Sequence, residues 1–141
     1  MSKKIIKQCQ VKLTVPFHDL DAMHVVWHGN YLKYFEIARQ KLFDQCGVDL
    51  FEYFTKSGYL FPVIRSKVKY IRPLRFNNNF FCQAELIEAY RKVVIHFRIE
   101  LADDGTLCAT GETEQAAIQG SDFKLETLIP VEIQKALNSN P

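Results

Sequence analysis

The chain has few of the features that would tie it to a special compartment or cofactor. Its four cysteines, Cys9, Cys46, Cys82 and Cys108, are scattered and form no C-x-x-C pair. That spacing gives no zinc or dithiol motif, and with no secretory signal beside it the reading is reduced thiols in a cytoplasmic protein. The basic start, Met1-Ser2-Lys3-Lys4-Ile5-Ile6-Lys7, runs into Gln8, Cys9 and Gln10, where a signal peptide needs an apolar stretch. No later apolar run is long enough to span a bilayer. Net charge is also small: 18 Lys and Arg against 16 Asp and Glu leave +2, too little for the whole surface to attract nucleic acid. Any anion site is therefore local. Repeats, linkers and low-complexity segments are missing as well.

What remains is core material. With 48% hydrophobic and 24% charged residues over 141 positions, residues 1–141 read as a single domain, too short for two. Val11, Leu13 and Val15 alternate with Lys12 and Thr14, which predicts a half-buried strand over about 10–17. From Asn30 to about Cys46, Tyr31, Tyr34, Phe35, Ala38, Leu42 and Phe43 recur at three- and four-residue spacing, with Gly47 at the expected left-handed stop. Leu32 and Ile37 widen that apolar face, so the helix is expected to be mostly enclosed by sheet. A short helix is predicted over 49–56, with Asp49 as N-cap and Ser57-Gly58 as stop.

Four strand-type stretches follow: Tyr59 to Tyr70, Asn79 to Tyr90, Lys92 to Leu101 and Thr106 to Ile118. They are separated by Pro73 with Asn77-Asn78-Asn79, by Arg91-Lys92 and by Asp103-Asp104-Gly105. A C-terminal helix over Val131 to Leu137 follows Pro130, and the last four residues are expected to fray. One strand, one long helix and four strands make an α+β domain whose antiparallel sheet covers an apolar helix.

The chemistry-bearing run is Phe17-His18-Asp19-Leu20-Asp21-Ala22-Met23-His24-Val25-Val26-Trp27-His28-Gly29-Asn30-Tyr31, which leads straight into the long helix. It puts carboxylates, imidazoles and a helix N-terminus within a few residues of one another. Those parts suit hydrolysis of an activated carbonyl compound: the first helical amides and the dipole polarise the carbonyl, and a nearby carboxylate or imidazole handles nucleophile and proton. Read alone, Asp19 and Asp21 are better explained as a capping and turn pair, a very common use of aspartate. His18, His24 and His28 show no metal-ligand spacing.

At Asp19-x-Asp21-x-x-x-Val25-Val26-Trp27-His28-Gly29-Asn30-Tyr31-x-x-Tyr34-x-Glu36-x-Ala38-Arg39 the chain resembles hotdog-fold thioesterases of the 4-hydroxybenzoyl-CoA thioesterase type, including the YbgC-like acyl-CoA thioesterases. The resemblance is strong over 11–47 and continues as strand order to about residue 118. It implies a hotdog fold, a long central helix wrapped by a curved antiparallel sheet, assembled as a homodimer or homotetramer with active sites at the dimer interface. It implies hydrolysis of acyl-CoA or acyl-carrier-protein thioesters without metal or dissociable cofactor. The family's catalytic aspartate falls on Asp21, as nucleophile or general base, and its histidine on His28. The chain departs from the pattern at His24, where glycine is usual, and at Phe17, where some members carry tyrosine.

Gly29, Asn30 and Tyr31 at the helix start are the candidates for oxyanion and substrate binding, with Gly29 allowing close approach to the backbone. Arg65, Lys67 and Lys69 occupy alternate positions and so share one strand face, and Arg72 and Arg75 follow with no acid between 65 and 75. With Arg91 and Lys92 they are candidates for holding coenzyme A phosphates or an acidic carrier protein; a solvated sheet face is the alternative. The rival to an enzyme is a non-catalytic hotdog module that binds acyl-CoA as a ligand sensor or assembly partner.

Overall fold

A computed structural model describes residues 4–139. The expected fraying of the last four residues falls partly on 140 and 141, which with residues 1–3 lie outside the described residues. Asn138 is tied down, its side-chain amide donating to the Ala89 and Gln134 carbonyls at 2.9 and 2.7 Å.

Among the described residues, eleven elements run in the order β1 (Lys7–Thr14), α1 (Asn30–Gln45), α2 (Leu50–Ser57), β2 (Tyr59–Leu60), β3 (Val63–Tyr70), β4 (Asn79–Ala89), β5 (Val93–Leu101), β6 (Leu107–Gln115), β7 (Ile118–Gln119), β8 (Lys124–Leu125) and α3 (Val131–Asn138), with a 3-10 turn at Phe17–Asp19. The main sheet is antiparallel with order β1-β4-β5-β6-β3. A second, three-stranded sheet has order β2-β7-β8.

The long helix forms where its spacing predicts. Tyr31, Tyr34, Phe35, Ala38, Leu42 and Phe43 are all buried, and Gly47 takes φ 71° beyond its end. Phe35 stacks on Phe97 with centroids 4.4 Å apart, and Gly111 makes room for it: a Cβ there would come within 2.3 Å of the Phe35 ring. Burying each such ring contributes about 2 kcal/mol. The short helix is capped as expected, the Glu52 N–H donating to the Asp49 carboxylate at 3.0 Å and Gly58 closing it at φ 80°.

Three expectations need correction. Leu32 and Ile37 remain 39% and 41% exposed, so within one chain the helix is enclosed on one side only. The stretch 59–70 is two strands: Pro62 has no N–H for a ladder, and β2 turns away to pair with β7. The stretch 106–118 likewise breaks at Ala116-Ala117, and β8 had no alternating pattern to announce it.

Arg39 belongs to the core. Its guanidinium is 4% exposed, donates to the Thr113 hydroxyl at 2.6 Å and pairs with Glu36, and burial draws its pKa down to about 10. The cysteines are free thiols, and burial pushes that of Cys82 up to about 12. No helix of the described residues is long and apolar enough to cross a membrane.

Candidate active site

Between the 3-10 turn and α1 the chain folds back on itself as a miniature hairpin closed by a Leu20 to Val26 bridge. Asp21 builds its tip. The Asp21 N–H donates to the Val25 carbonyl at 2.8 Å, the His24 N–H to the Asp21 carbonyl at 3.0 Å, and the Met23 N–H to Asp21 Oδ1 at 2.8 Å. This is an Asx-type turn, so the turn-forming role of aspartate is real. It uses one carboxylate oxygen; Oδ2 has no hydrogen-bond partner among the described residues. His24 sits at φ 65°, so the loop keeps a left-handed residue where glycine is usual, at a cost of about 1 kcal/mol.

Asp19, two residues away, is spent on structure. It is 2% exposed, Oδ1 accepting from Lys33 Nζ at 2.5 Å and Oδ2 from the Tyr34 hydroxyl at 2.6 Å. Its carbonyl accepts from the Trp27 N–H and from Asn30 Nδ2, both near 3 Å. Burial alone would raise the Asp19 pKa, but the bonds from Lys33 and Tyr34 outweigh it and hold the carboxyl below the usual range. Tyr34 shifts the other way, raised by burial and by its bond to Asp19.

Asp21 and His28 share one cleft of about 300 Å³, lined also by Met23, Val25, Tyr31, Tyr70 and Arg72. Tyr31 does two jobs, buried at 3% exposure with its hydroxyl accepting from the Leu74 N–H at 3.3 Å while its ring edges the cleft. Helix α1 begins beside this cleft with Gly29 as N-cap, no side-chain cap and no acid in its first turn. No acidic side chain of the helix itself offsets the positive end of its dipole there.

Asn30 and Gly29 behave otherwise than expected. The Asn30 N–H is committed to the Trp27 carbonyl at 2.9 Å and its side chain to Asp19, so it braces the loop against the helix. The space above Gly29 belongs to Trp27, whose ring an added Cβ would meet at 2.2 Å. Glycine is needed there for the indole.

Lys67 and Lys69 of the basic stripe lie on the sheet face opposite the cleft, whereas Arg72 lines the cleft. Lys67 and Lys69 line an outer groove of about 460 Å³ with Glu85, His96, Arg98 and Glu112, while Tyr70, next in the chain, points into the inner cleft. Glu114 engages both Arg65, at 3.8 Å, and Lys92, at 2.5 Å. Arg91 and Lys92 join β4 to β5 at the far end of a strand roughly 30 Å long.

Sequence reasoning missed Tyr70. Its hydroxyl donates to the His28 carbonyl at 2.8 Å and its ring meets those of His28 and Tyr31 edge-on. It reads as one more alternating strand residue, and only pairing across the fold reveals its partner.

The description of a thioesterase-like superfamily matches residues 15–137. The chain belongs to that superfamily. The Synechocystis protein sll0410, provisionally named as an esterase, is 29% identical over 133 residues, 93% of this chain and 79% of its own length. A 1,4-dihydroxy-2-naphthoyl-CoA thioesterase from Synechocystis superposes with TM-score 0.83 at 16% identity, covering 94% of this chain and 97% of the other. The corresponding enzyme of Staphylococcus aureus gives TM-score 0.78 at 25% identity, covering 85% and 80%. The hotdog fold expected from the motif is thus the fold of this thioesterase-like chain, and its members include named hydrolases of CoA esters.

Proposed function

We propose that this chain hydrolyses acyl-CoA thioesters to the free acid and the coenzyme thiol in the cleft between Asp21, His28 and the start of α1. The observation that carries the reading is convergence: a carboxylate with one uncommitted oxygen, an imidazole and an uncapped helix start border a single cleft of about 300 Å³. The thioester oxygen lies toward the first turn of α1, where the dipole stabilises the developing oxyanion. Asp21 either attacks the acyl carbon or aligns the water that does. The carbon–sulfur bond breaks, the hydroxyl of water ends on the acyl group and its proton on sulfur, with His28 relaying that proton. The scheme asks for no metal and no dissociable cofactor.

The working unit of this reading is a homodimer or homotetramer. β3 is an edge strand with every residue but Val68 exposed, and Leu32, Ile37, Val63 and Ile64 add apolar surface near it. Lys67 and Lys69 serve the coenzyme in this scheme across such an interface.

The test is free-thiol release from short-chain, long-chain and aromatic acyl-CoAs, and from the same acyl groups on a carrier protein. Asp21→Asn and Asp21→Ala are expected to lose about a thousandfold in turnover while still binding ester. Wild-type protein that binds CoA esters and never releases thiol would overturn the proposal in favour of a sensor.

A further inference from the structure

We propose that Arg72, with Arg75 beside it, recognises an anionic group of the substrate at the mouth of the Asp21 cleft. The inference rests on the hydrolase reading only for its kinetic readout. Among the residues lining the cleft, Arg72 is the one with a permanent positive charge; most of the others are apolar or aromatic. Its backbone is pinned: the Ile71 and Arg72 N–H groups both donate to the Cys108 carbonyl, at 2.9 and 3.1 Å, and Pro73 fixes the next φ. Arg75 is held against the catalytic loop by its bridge to Val25.

Arg72 is set apart from the other cations by its place in the cleft, where no acid among the described residues pairs with it. Neither its guanidinium nor that of Arg75 forms an ion pair or a side-chain hydrogen bond among the described residues. Asp104 is the acid that Arg72 senses, at longer range than an ion pair. Arg65 and Lys92 share Glu114, Arg98 pairs with Glu100 at 2.9 Å, and Lys67 lies across the strand from Glu112. Both arginines are exposed, and the Arg72 head reaches solvent at the rim. A rim cation is placed to meet the non-reacting end of a ligand, whose bidentate oxyanion, carboxylate or phosphate, matches the guanidinium fork. That anion has two sources, an acidic acyl group or the coenzyme's phosphates.

The experiment compares glutaryl and butyryl esters, each on coenzyme A and on pantetheine, which has no phosphate, with wild type, Arg72→Gln, Arg72→Lys and Arg75→Gln. Arg72→Gln is expected to lower kcat/KM about tenfold or more, through KM, on esters carrying the recognised anion, with partial rescue by lysine and attenuation in salt. Loss on both CoA esters but neither pantetheine ester assigns the phosphates. Loss on both glutaryl esters whatever the carrier assigns the acyl carboxylate. Equal loss on all four, butyryl-pantetheine included, or no loss on any, overturns the proposal. Trp27, the single tryptophan, adjoins His28 with centroids 5.0 Å apart, so its fluorescence reports binding of the same esters. If wild type releases no thiol, the hydrolase reading fails, and equal affinity of wild type and Arg72→Gln for every ester then overturns the Arg72 proposal separately.

Discussion

The inner cleft and the outer sheet face both gather charged side chains, and they treat them in opposite ways. On the outer face, charges answer one another across strands: Lys67 stands opposite Glu112, His96 Nε2 lies 3.6 Å from Glu112, and Glu114 takes Arg65 and Lys92. In the cleft, Asp21 Oδ2, the His28 imidazole and the Arg72 guanidinium have no hydrogen-bond or ion-pair partner among the described residues, although they line the same space. The same contrast separates Asp19, saturated and buried, from Asp21 two residues on. A charge with its partners in place is scaffold, whereas one held without them is available to a ligand.

The largest effect that would break this comparison is on stability. Asp19→Ala leaves the Tyr34 hydroxyl unpaired in the core and Lys33 without its carboxylate, and should cost about 3 kcal/mol in thermal or urea unfolding. Because the folded-state pKa of Asp19 is lowered, its contribution is complete above the ordinary aspartate value of about 4 and fades as pH falls through the folded pKa. Wild type should therefore lose stability below about pH 4 more steeply than Asp19→Asn. Parallel curves would remove Asp19 from the scaffold.

Next in size is Tyr70→Phe, which deletes the bond to the His28 carbonyl and should lower kcat about tenfold with thermal midpoint nearly unchanged. An unchanged kcat would leave Tyr70 as packing alone. Lys67→Gln with Lys69→Gln should raise KM for CoA esters two- to threefold at low salt, with no change on pantetheine esters. A flat response assigns the outer face wholly to scaffold. Smallest is His24→Gly, which relieves a left-handed residue while adding unfolded-state freedom, for a net gain of about 0.5 kcal/mol by calorimetry.

Legibility followed the range of the interaction. The α1 face, the Asp49 cap, the Gly47 and Gly58 stops and the Val93–Leu101 alternation were readable because each depends on neighbours within one turn or one pleat. The motif named Asp21 and His28, and both line one cleft. For Asn30 and Gly29, position at a helix start does not reveal which groups are already engaged with Trp27 and Asp19.

By itself the chain's order of residues determined the α+β class, the long helix and the loop that bears Asp21 and His28, since periodicity and turn residues act locally. The tertiary structure alone decided which charges are neutralised, which sheet face Lys67 and Lys69 occupy, and that Tyr70 and Arg72 border the cleft. Those outcomes depend on strand pairing between residues tens of positions apart, where a single step of register turns a side chain from one face to the other.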